Sequence, residues 1–596
     1  MHLHKNNLII CLGIFLVGLG VFTRGLNTHG LEFRDDEIFY YKSTQEMLSN
    51  ENFFSPTYFG NDRFQKPILF YWLVLFSYHF GGVSWFSARM VAVIFASSAL
   101  VIVWLLAKDL FNKRVANASA LILATMPLFS RHAKNVVPDM VLNFFVLVAI
   151  YFGCKLLQAG RSVDPPCGSA CPERSLKSYQ MPPRHYSLLF FVACSLGFMV
   201  KGFVAFIVPL IAIGGYALAT KRVKALFPGN LWLNFAVMGV IILPWFLYMI
   251  TVHGLDYLRY MLVRETQQRI LNDSGGYTWW SWVKMVGDHI LYYGGVIFSY
   301  HAPWSLFLLG AFPLAVQRSW AKRGRSPQSF LLIWICGTVL FFSSLYFVIN
   351  HYMLVVSAPL AILISFFLLE TLPAERILCK ITDAFRRYAM IFLFVFGFLV
   401  FSFLYFILLQ GSVYWIPVFA FVFILSFRIM WVNPNYRRVL FLGIFILGVM
   451  SQSRLLNEAN LTSHAVLSRF ARVIKAGEAT DFSIGVGSHD LHEKEFQVYF
   501  DQKVDKASVS WEWGMQNSLN RYFSRAGTIY CLITAADYQA YLNNIPHFDK
   551  VSVVSEDYIF RRRVRLDGHF WKALGRFDQQ KMFHYFMEKI ILVKKE

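Results

Sequence analysis

Arg34, Asp35, Asp36 and Glu37 follow one another in a stretch that lies between apolar runs and ends in Phe64-Gln65-Lys66-Pro67 and Tyr71-Trp72. Carboxylates are costly to take out of water, so a cluster of them beside a long apolar segment is either solvated or kept for chemistry. As chemistry, Asp36 or Glu37 would handle a proton or a developing charge while Lys66 neutralises an anionic leaving group. As architecture, the same acids would form a solvated loop that stays out of lipid. Asp139, directly after Pro138, is a carboxylate that enters an apolar run, which suits a catalytic role. Proline and an acid are also at home at a helix N-terminus. Lys201-Gly202 interrupts two apolar runs, where the lysine either binds a phosphate or snorkels to the interface. Arg259, Arg264 and Arg269 are interleaved with Tyr257, Tyr260, Trp279, Trp280 and Trp282. Cations in a headgroup layer can hold phosphate, and an aromatic belt accounts equally well for the tryptophans. Tyr40, Gln65, Glu265, His351 and Tyr352 are the residues expected to position a substrate around these charges.

The rest of the chain is suited to holding such groups at a membrane surface. Of the 596 residues, 56% are hydrophobic, 18% aromatic and only 15% charged, which excludes an ordinary soluble protein and points to a polytopic α-helical membrane protein. The formal net charge of +21 would suggest nucleic acid in a soluble chain. Here the basic residues fall mostly in short loops between apolar segments, where they set orientation, and nucleic acid is excluded as a partner. The eight cysteines are scattered, mostly in apolar runs, and imply no disulfide framework. Cys167 and Cys171 lack the histidine or cysteine partners of a metal site.

A helix needs about 20 apolar residues to cross a bilayer, and on that rule the sequence predicts roughly thirteen spans within residues 1–456, among them single spans near 115–131 and 288–316. The N-terminal run over 7–24 reads as an uncleaved first span, since no convincing small-residue cleavage site follows it. Residues 68–80 read as an amphipathic helix at the interface, part of a first outward loop over 26–83. A second large outward loop is expected over 253–289. Clusters such as Lys108, Lys113, Arg114 and Lys221, Arg222, Lys224 mark the cytoplasmic side, so both outward loops face away from the cytoplasm. Residues 158–183, with Pro165-Pro166 and Pro182-Pro183, read as a flexible cytoplasmic linker. Residues 457–596 change character. An amphipathic helix over 461–474 precedes short strand-like runs at 482–486, 496–500, 528–533 and 551–560, with a helix near 535–542, which predicts a soluble extracytoplasmic α/β domain. Gly485-Val486-Gly487 is too short for a nucleotide loop.

Taken in order, Asp36-Glu37, Glu46-Met47-Leu48, Pro56, Gly60, Lys66-Pro67 and Tyr71-Trp72 resemble the first outward loop of the GT-C glycosyltransferases. The likeness is to the lipid A aminoarabinose transferase branch, kin to the protein O-mannosyltransferases, and covers most of residues 10–365. It implies a glycosyltransferase of the inner membrane, with its site on the extracytoplasmic side. Such an enzyme moves a sugar from a polyprenyl (undecaprenyl) phosphate carrier to lipid A or another envelope glycolipid. Transfer to protein Ser or Thr is the alternative, and a lipid or solute transporter is the rival class. In those relatives the first-loop aspartate is essential and the lysine before proline contacts the carrier phosphate, roles that the resemblance carries to Asp36 and Lys66. It also matches Asp139, Lys201-Gly202, Glu265 and Arg269. The chain departs from the branch at Gln65 and Thr266, where the aminoarabinose transferases have a glutamate and a histidine implicated in binding zinc. An amide and a threonine are poor zinc ligands, so no metal is expected there. Phe347-Val348-Ile349-Asn350 also replaces a lysine-bearing stretch, which weakens the case for an aminoarabinose donor or a lipid A phosphate acceptor specifically.

Overall fold

A computed structural model describes residues 2–24, 26, 35–159, 182–229, 231–260, 279–370, 377–403, 416–432 and 434–451. In the C-terminal part it describes 463–477, 482–488, 496, 500, 504–506, 514–541, 550–560 and 585–595. Residues 160–181 of the expected linker, the segment with Arg264, Glu265, Thr266 and Arg269, and most of the run over 496–500 lie outside the described residues. The chain divides into two compact units. The first comprises Met1–Arg24, Phe39–Val395 and Leu425–Gly448, and the second Gly25–Ile38, Phe396–Ile424 and Val449–Glu596.

Helices build the first unit, and their ends are set by ordinary capping chemistry. They run α1 (His2–Phe22), α2 (Asp35–Ser49), α3 (Leu69–Gly81), α4 (Trp85–Leu110), α5 (Lys113–Thr125), α6 (Pro127–His132), α7 (Asp139–Ala159), α8 (Pro183–Lys201), α9 (Val204–Pro209), α10 (Gly215–Ala219) and α11 (Leu231–Leu258). They continue with α12 (Trp279–Tyr300), α13 (Leu308–Ala321), α14 (Pro327–Ser343), α15 (Ser357–Leu369), α16 (Ile377–Phe403), α17 (Ile416–Val432) and α18 (Asn435–Ser451); α2 and the last three have residues in both units. Ser84, Asn112 and Ser326 each accept a backbone N–H of the following turn at the starts of α4, α5 and α14.

Six described helices are long and apolar enough to cross a membrane, and a seventh span results if the broken pair Trp279–Tyr300 and Trp304–Ala321, bent by 119°, counts as one. The chain is a multi-pass membrane protein. The run expected as one span over 288–316 is thus two helices with a sharp break, and that over 115–131 is divided between α5 and α6 at Met126-Pro127, where proline cannot continue a helix. Shorter apolar helices, including Asn6–Phe22 and Pro327–Ser343, lie within other expected spans. In α3, Phe70, Tyr71, Val74 and Tyr78 are buried while Phe76 and Phe80 are exposed. That two-sidedness agrees with a helix lying along an interface.

The second unit carries a five-stranded mixed sheet of β3 (Phe482–Val486), β4 (Asp505–Lys506), β5 (Thr528–Thr534), β6 (Val551–Phe560) and β7 (Met587–Lys595), in the order β4-β3-β5-β7-β6. β3 pairs in parallel with β4 and β5, and β7 is antiparallel to β5 and β6. Side chains of β5 alternate between two cores, as strand geometry dictates. Tyr530 and Leu532 join Val466, Phe470 and Ile474 of α19 (Ser463–Lys475). Ile529, Cys531 and Ile533 join Leu519 and Phe523 of α20 (Gly514–Phe523) on the other face. Gly485 answers to packing: a Cβ there would come within 2.6 Å of Tyr522 Oη.

Candidate active site

The segment that joins α2 to α3 is a compact structure in its own right. Between α2 and α3 the chain makes a hairpin of β1 (Thr57–Tyr58) and β2 (Asn61–Asp62), with Thr57 opposite Asp62 and Tyr58 opposite Asn61. Its two turn residues, Phe59 and Gly60, have φ of 49° and 72°. A two-residue hairpin of this hand needs positive φ at both positions, easy for glycine and costly for phenylalanine. Glu46 of α2 offsets that cost. Its carboxylate accepts the Thr57 hydroxyl at 2.6 Å and the backbone N–H groups of Phe59 at 2.7 Å and Gly60 at 3.3 Å. Charge-assisted bonds of this kind are about twice as strong as neutral ones.

The same loop is fastened to the end of α11. Trp245 donates its indole N–H to Phe54 O at 2.9 Å, and Trp72 donates to Phe53 O at 2.7 Å. His253 stands between two loop residues, with Ser55 Oγ 2.7 Å from Nε2 and Asp62 Oδ2 3.5 Å from Nδ1. The next residue, Gly254, breaks the helix with φ of 66°. Phe64 packs edge-on against His253, Tyr257 and Tyr260. Two residues later comes Lys66, half-buried, its ammonium donating to Gln65 O at 2.8 Å. Lys66 is therefore held at a corner fixed by the hairpin on one side and by Pro67 and α3 on the other.

Arg63 ties this corner inward. Burial alone would lower the pKa of its guanidinium, but the Tyr71 and Tyr40 hydroxyls outweigh that and hold the group above its ordinary value. Tyr40 is buried and meets Phe70 edge-on at 5.1 Å and Tyr71 at 5.4 Å between ring centres. Asp36 and Glu37 lie in the first turn of α2, Asp36 exposed and Glu37 fully buried. An exposed carboxylate keeps its hydration until a substrate displaces it. Glu37 has no such access to solvent.

A second charged cluster is assembled from distant parts of the chain. Asp139 opens α7 and Lys201 closes α8, and their side chains form an ion pair of 2.6 Å with only 11% and 9% exposure. Gly202, with φ of 85°, ends α8 by returning its N–H to Phe198 O at 2.8 Å, a left-handed cap that glycine adopts at little cost. His351 Nε2 approaches the same Asp139 oxygen at 3.6 Å from a 3₁₀ turn over Asn350–Val356. The ring of His132, fully buried, lies 6.0 Å from that of His351, with Nδ1 at 2.8 Å from Leu128 O. The turn that carries His351 is anchored by α12: Tyr292 hydrogen-bonds Asn350 Oδ1, and Asn350 Nδ2 donates to Tyr300 Oη at 2.8 Å. Tyr352 is buried and stacked on Phe342 at 4.6 Å. In the loop before α7, Lys134 donates to Arg24 O at 3.1 Å, and burial, then Arg24, lowers its pKa.

The structure thus brings Asp139, Lys201 and His351 together, and Gln65 and Lys66 at one corner. Arg259 instead pairs at 3.4 Å with Asp256, both largely exposed. Sequence reasoning overlooked Glu46 as a clamp, and it overlooked Arg63, His132 and His253. The available signals were a histidine at the end of an otherwise apolar run, His253, and an arginine three residues before Lys66.

Comparison with known proteins agrees with this architecture. Residues 65–164 match the family described as dolichyl-phosphate-mannose-protein mannosyltransferase. The chain is 28% identical over 377 residues to an undecaprenyl phosphate-alpha-4-amino-4-deoxy-L-arabinose arabinosyl transferase of Pseudomonas fluorescens, covering 61% of each chain. It is 30% identical over 347 residues to the enzyme so named from Pectobacterium carotovorum, covering 57% of this chain and 56% of the relative. The chain spans about three-fifths of the length of the curated relatives it matches. The crystal structure of ArnT from Cupriavidus metallidurans bound to undecaprenyl phosphate superposes with a TM-score of 0.64 at 16% identity, covering 98% of this chain and 97% of that one. In sequence the chain is thus similar to lipid-phosphate-dependent glycosyltransferases, and in fold to ArnT.

Proposed function

We propose that the protein is a glycosyltransferase that moves a sugar from a polyprenyl phosphate carrier to an extracytoplasmic acceptor, a glycolipid of the lipid A type, with inversion at the anomeric carbon. The observation that carries this reading is the first-loop corner, in which a clamped hairpin presents Lys66 on a fold shared with a transferase solved with undecaprenyl phosphate. The acceptor oxygen attacks the anomeric carbon from the side opposite the phosphate, and the anomeric C–O bond to phosphate breaks. Lys66 stabilises the departing phosphate, with Arg259, Arg264 and Arg269 as further cations. Asp36 takes the proton of a hydroxyl acceptor; an ionised phosphate acceptor needs only positioning.

Asp139 acts in this reading through its ion pair. A carboxylate already bonded to an ammonium is a weak proton acceptor, and its task is to hold Lys201 and His351 toward the donor phosphate. Glu37, being buried, supports Asp36 from behind. Tyr40, Gln65, Glu265 and Tyr352 shape the sugar pocket. The reading invokes no metal, because Gln65 and Thr266, at the positions that the resemblance gives to zinc ligands, are an amide and a hydroxyl and bind zinc poorly. The membrane is the inner membrane, crossed roughly thirteen times, with the first loop and residues 457–596 on the extracytoplasmic side as loop charge prescribes.

Transfer to protein Ser or Thr is the second reading, favoured by the protein mannosyltransferase match over 65–164 and by the lysine-free stretch 347–350. Mass spectrometry of envelope lipids and glycopeptides decides between them, using cells with the native chain, without it, and with Asp36→Asn. A lipid mass increment lost in both altered strains supports the glycolipid acceptor, and a lost glycopeptide mass supports protein. No change in either fraction refutes both and returns a transporter to consideration.

A further inference from the structure

Arg63 lies where three pieces of the first unit meet. Its guanidinium carbon stands 4.5 Å from the ring centre of Phe39 and 5.3 Å from that of Tyr40, both on α2. Nε donates to Tyr71 Oη on α3 at 3.0 Å, and the backbone N–H donates to Pro56 O at 2.9 Å, just before the hairpin. Only 9% of the residue is exposed. A guanidinium engaged with aromatic rings and a phenol is not presented to a phosphate as Lys66 is. Its planarity and fixed donors let it stack on two rings while bonding edge-on to a third, which a lysine ammonium cannot reproduce.

Its place in the chain gives that geometry a use. Phe39 lies one helical turn after Asp36 on the same helix, and Lys66 lies three residues after Arg63. We propose that Arg63 is a positioning residue that locks α2, from Phe39 onward, to the corner bearing Lys66, so that this part of α2 and the phosphate-binding group move as one piece. The consequence for turnover rests on the glycosyl-transfer reading above; the mechanical coupling does not.

The test uses the full-length protein in detergent, as native chain, Arg63→Lys and Tyr71→Phe. Hydrogen–deuterium exchange follows residues 39–47 and 57–66, native mass spectrometry follows polyprenyl phosphate binding, and kcat and KM are measured per folded molecule. For Arg63→Lys, exchange is expected to rise about tenfold in both segments together, as when a local cooperative unit is loosened. Because Lys66 is retained, polyprenyl phosphate binding should stay within about threefold of native while kcat falls at least about tenfold, the signature of lost orientation. Tyr71→Phe should show the same pattern, smaller, and it carries the test if Arg63→Lys fails to fold.

Unchanged exchange in the two segments overturns the coupling. So does a lowered melting temperature with native kcat per folded molecule, which is what a merely space-filling arginine would give. A rise in KM alone would make Arg63 a direct ligand and also overturns it. Failure of the native chain to bind polyprenyl phosphate sinks the glycosyl-transfer reading instead, and the exchange data still decide the coupling.

Discussion

The first-loop corner and the Asp139 cluster hold charge in opposite ways. At the corner, Glu46 is satisfied by groups within fourteen residues of it in sequence, and Arg63 rests on neighbouring rings. Asp62 remains half exposed there, so solvent still screens part of the charge. In the cluster, Asp139, Lys201 and His351 come from three distant segments and meet with little access to water. The corner is a local device that can carry an exposed, reactive group. The cluster is a nonlocal one in which each charge depends on its partner, because removing one leaves the other buried and uncompensated.

Substitutions should separate the two. Asp36→Asn is expected to lower kcat by roughly 10²–10⁴, the contribution of a general base, with an unchanged melting curve for the purified protein. Lys201→Met should do the reverse in kind. It leaves Asp139 buried with His351 as its remaining ionic neighbour and costs about 3–5 kcal/mol of stability. The double variant Asp139→Leu with Lys201→Met should recover most of that loss in denaturant titrations, since apolar groups of similar size replace a buried pair at little net cost. A stability-neutral Lys201→Met would erase the distinction between the regions. Glu46→Ala comes next. It releases three donors, two of them backbone N–H groups at positive φ, and is expected to cost about 1.5–3 kcal/mol, seen as faster exchange confined to residues 57–62.

The same contrast explains what could be read in the sequence. The motif loop was legible because its chemistry is local: Asp36, Glu46, Gly60 and Lys66 carry their meaning within thirty residues. Strands at 482–486, 528–534 and 551–560 were legible from compact apolar runs. β7 was missed although Ile590-Ile591-Leu592-Val593 is an apolar, β-branched run, because Lys589, Lys594 and Lys595 flank it and its role depends on pairing with β5 and β6. The pairing of Asp139 with Lys201 joins residues 62 positions apart, and His351 lies still further along. No periodicity reports such a meeting, so each was read singly, as an acid and as a phosphate ligand. Hydropathy likewise marked apolar length over 288–316, but the break between Tyr300 and Trp304 depends on packing that a window average cannot register.

Arg259 provides the finest test, since it is a cation that neither region holds. Its contact with Asp256 is 3.4 Å long, with side chains 78% and 85% exposed. Solvent screens such a pair almost completely, so Arg259→Ala should change stability by no more than about 0.5 kcal/mol. If the exposed guanidinium meets the donor phosphate, the same variant raises KM for the polyprenyl phosphate sugar several-fold, and the effect fades as salt rises. A KM that stays native at low ionic strength would remove Arg259 from the phosphate site and leave Lys66, Arg264 and Arg269 to carry it. A loss of stability beyond that limit would mean that the arginine packs its aliphatic stem against the end of α11, and that the kink at Gly254 is held from both sides.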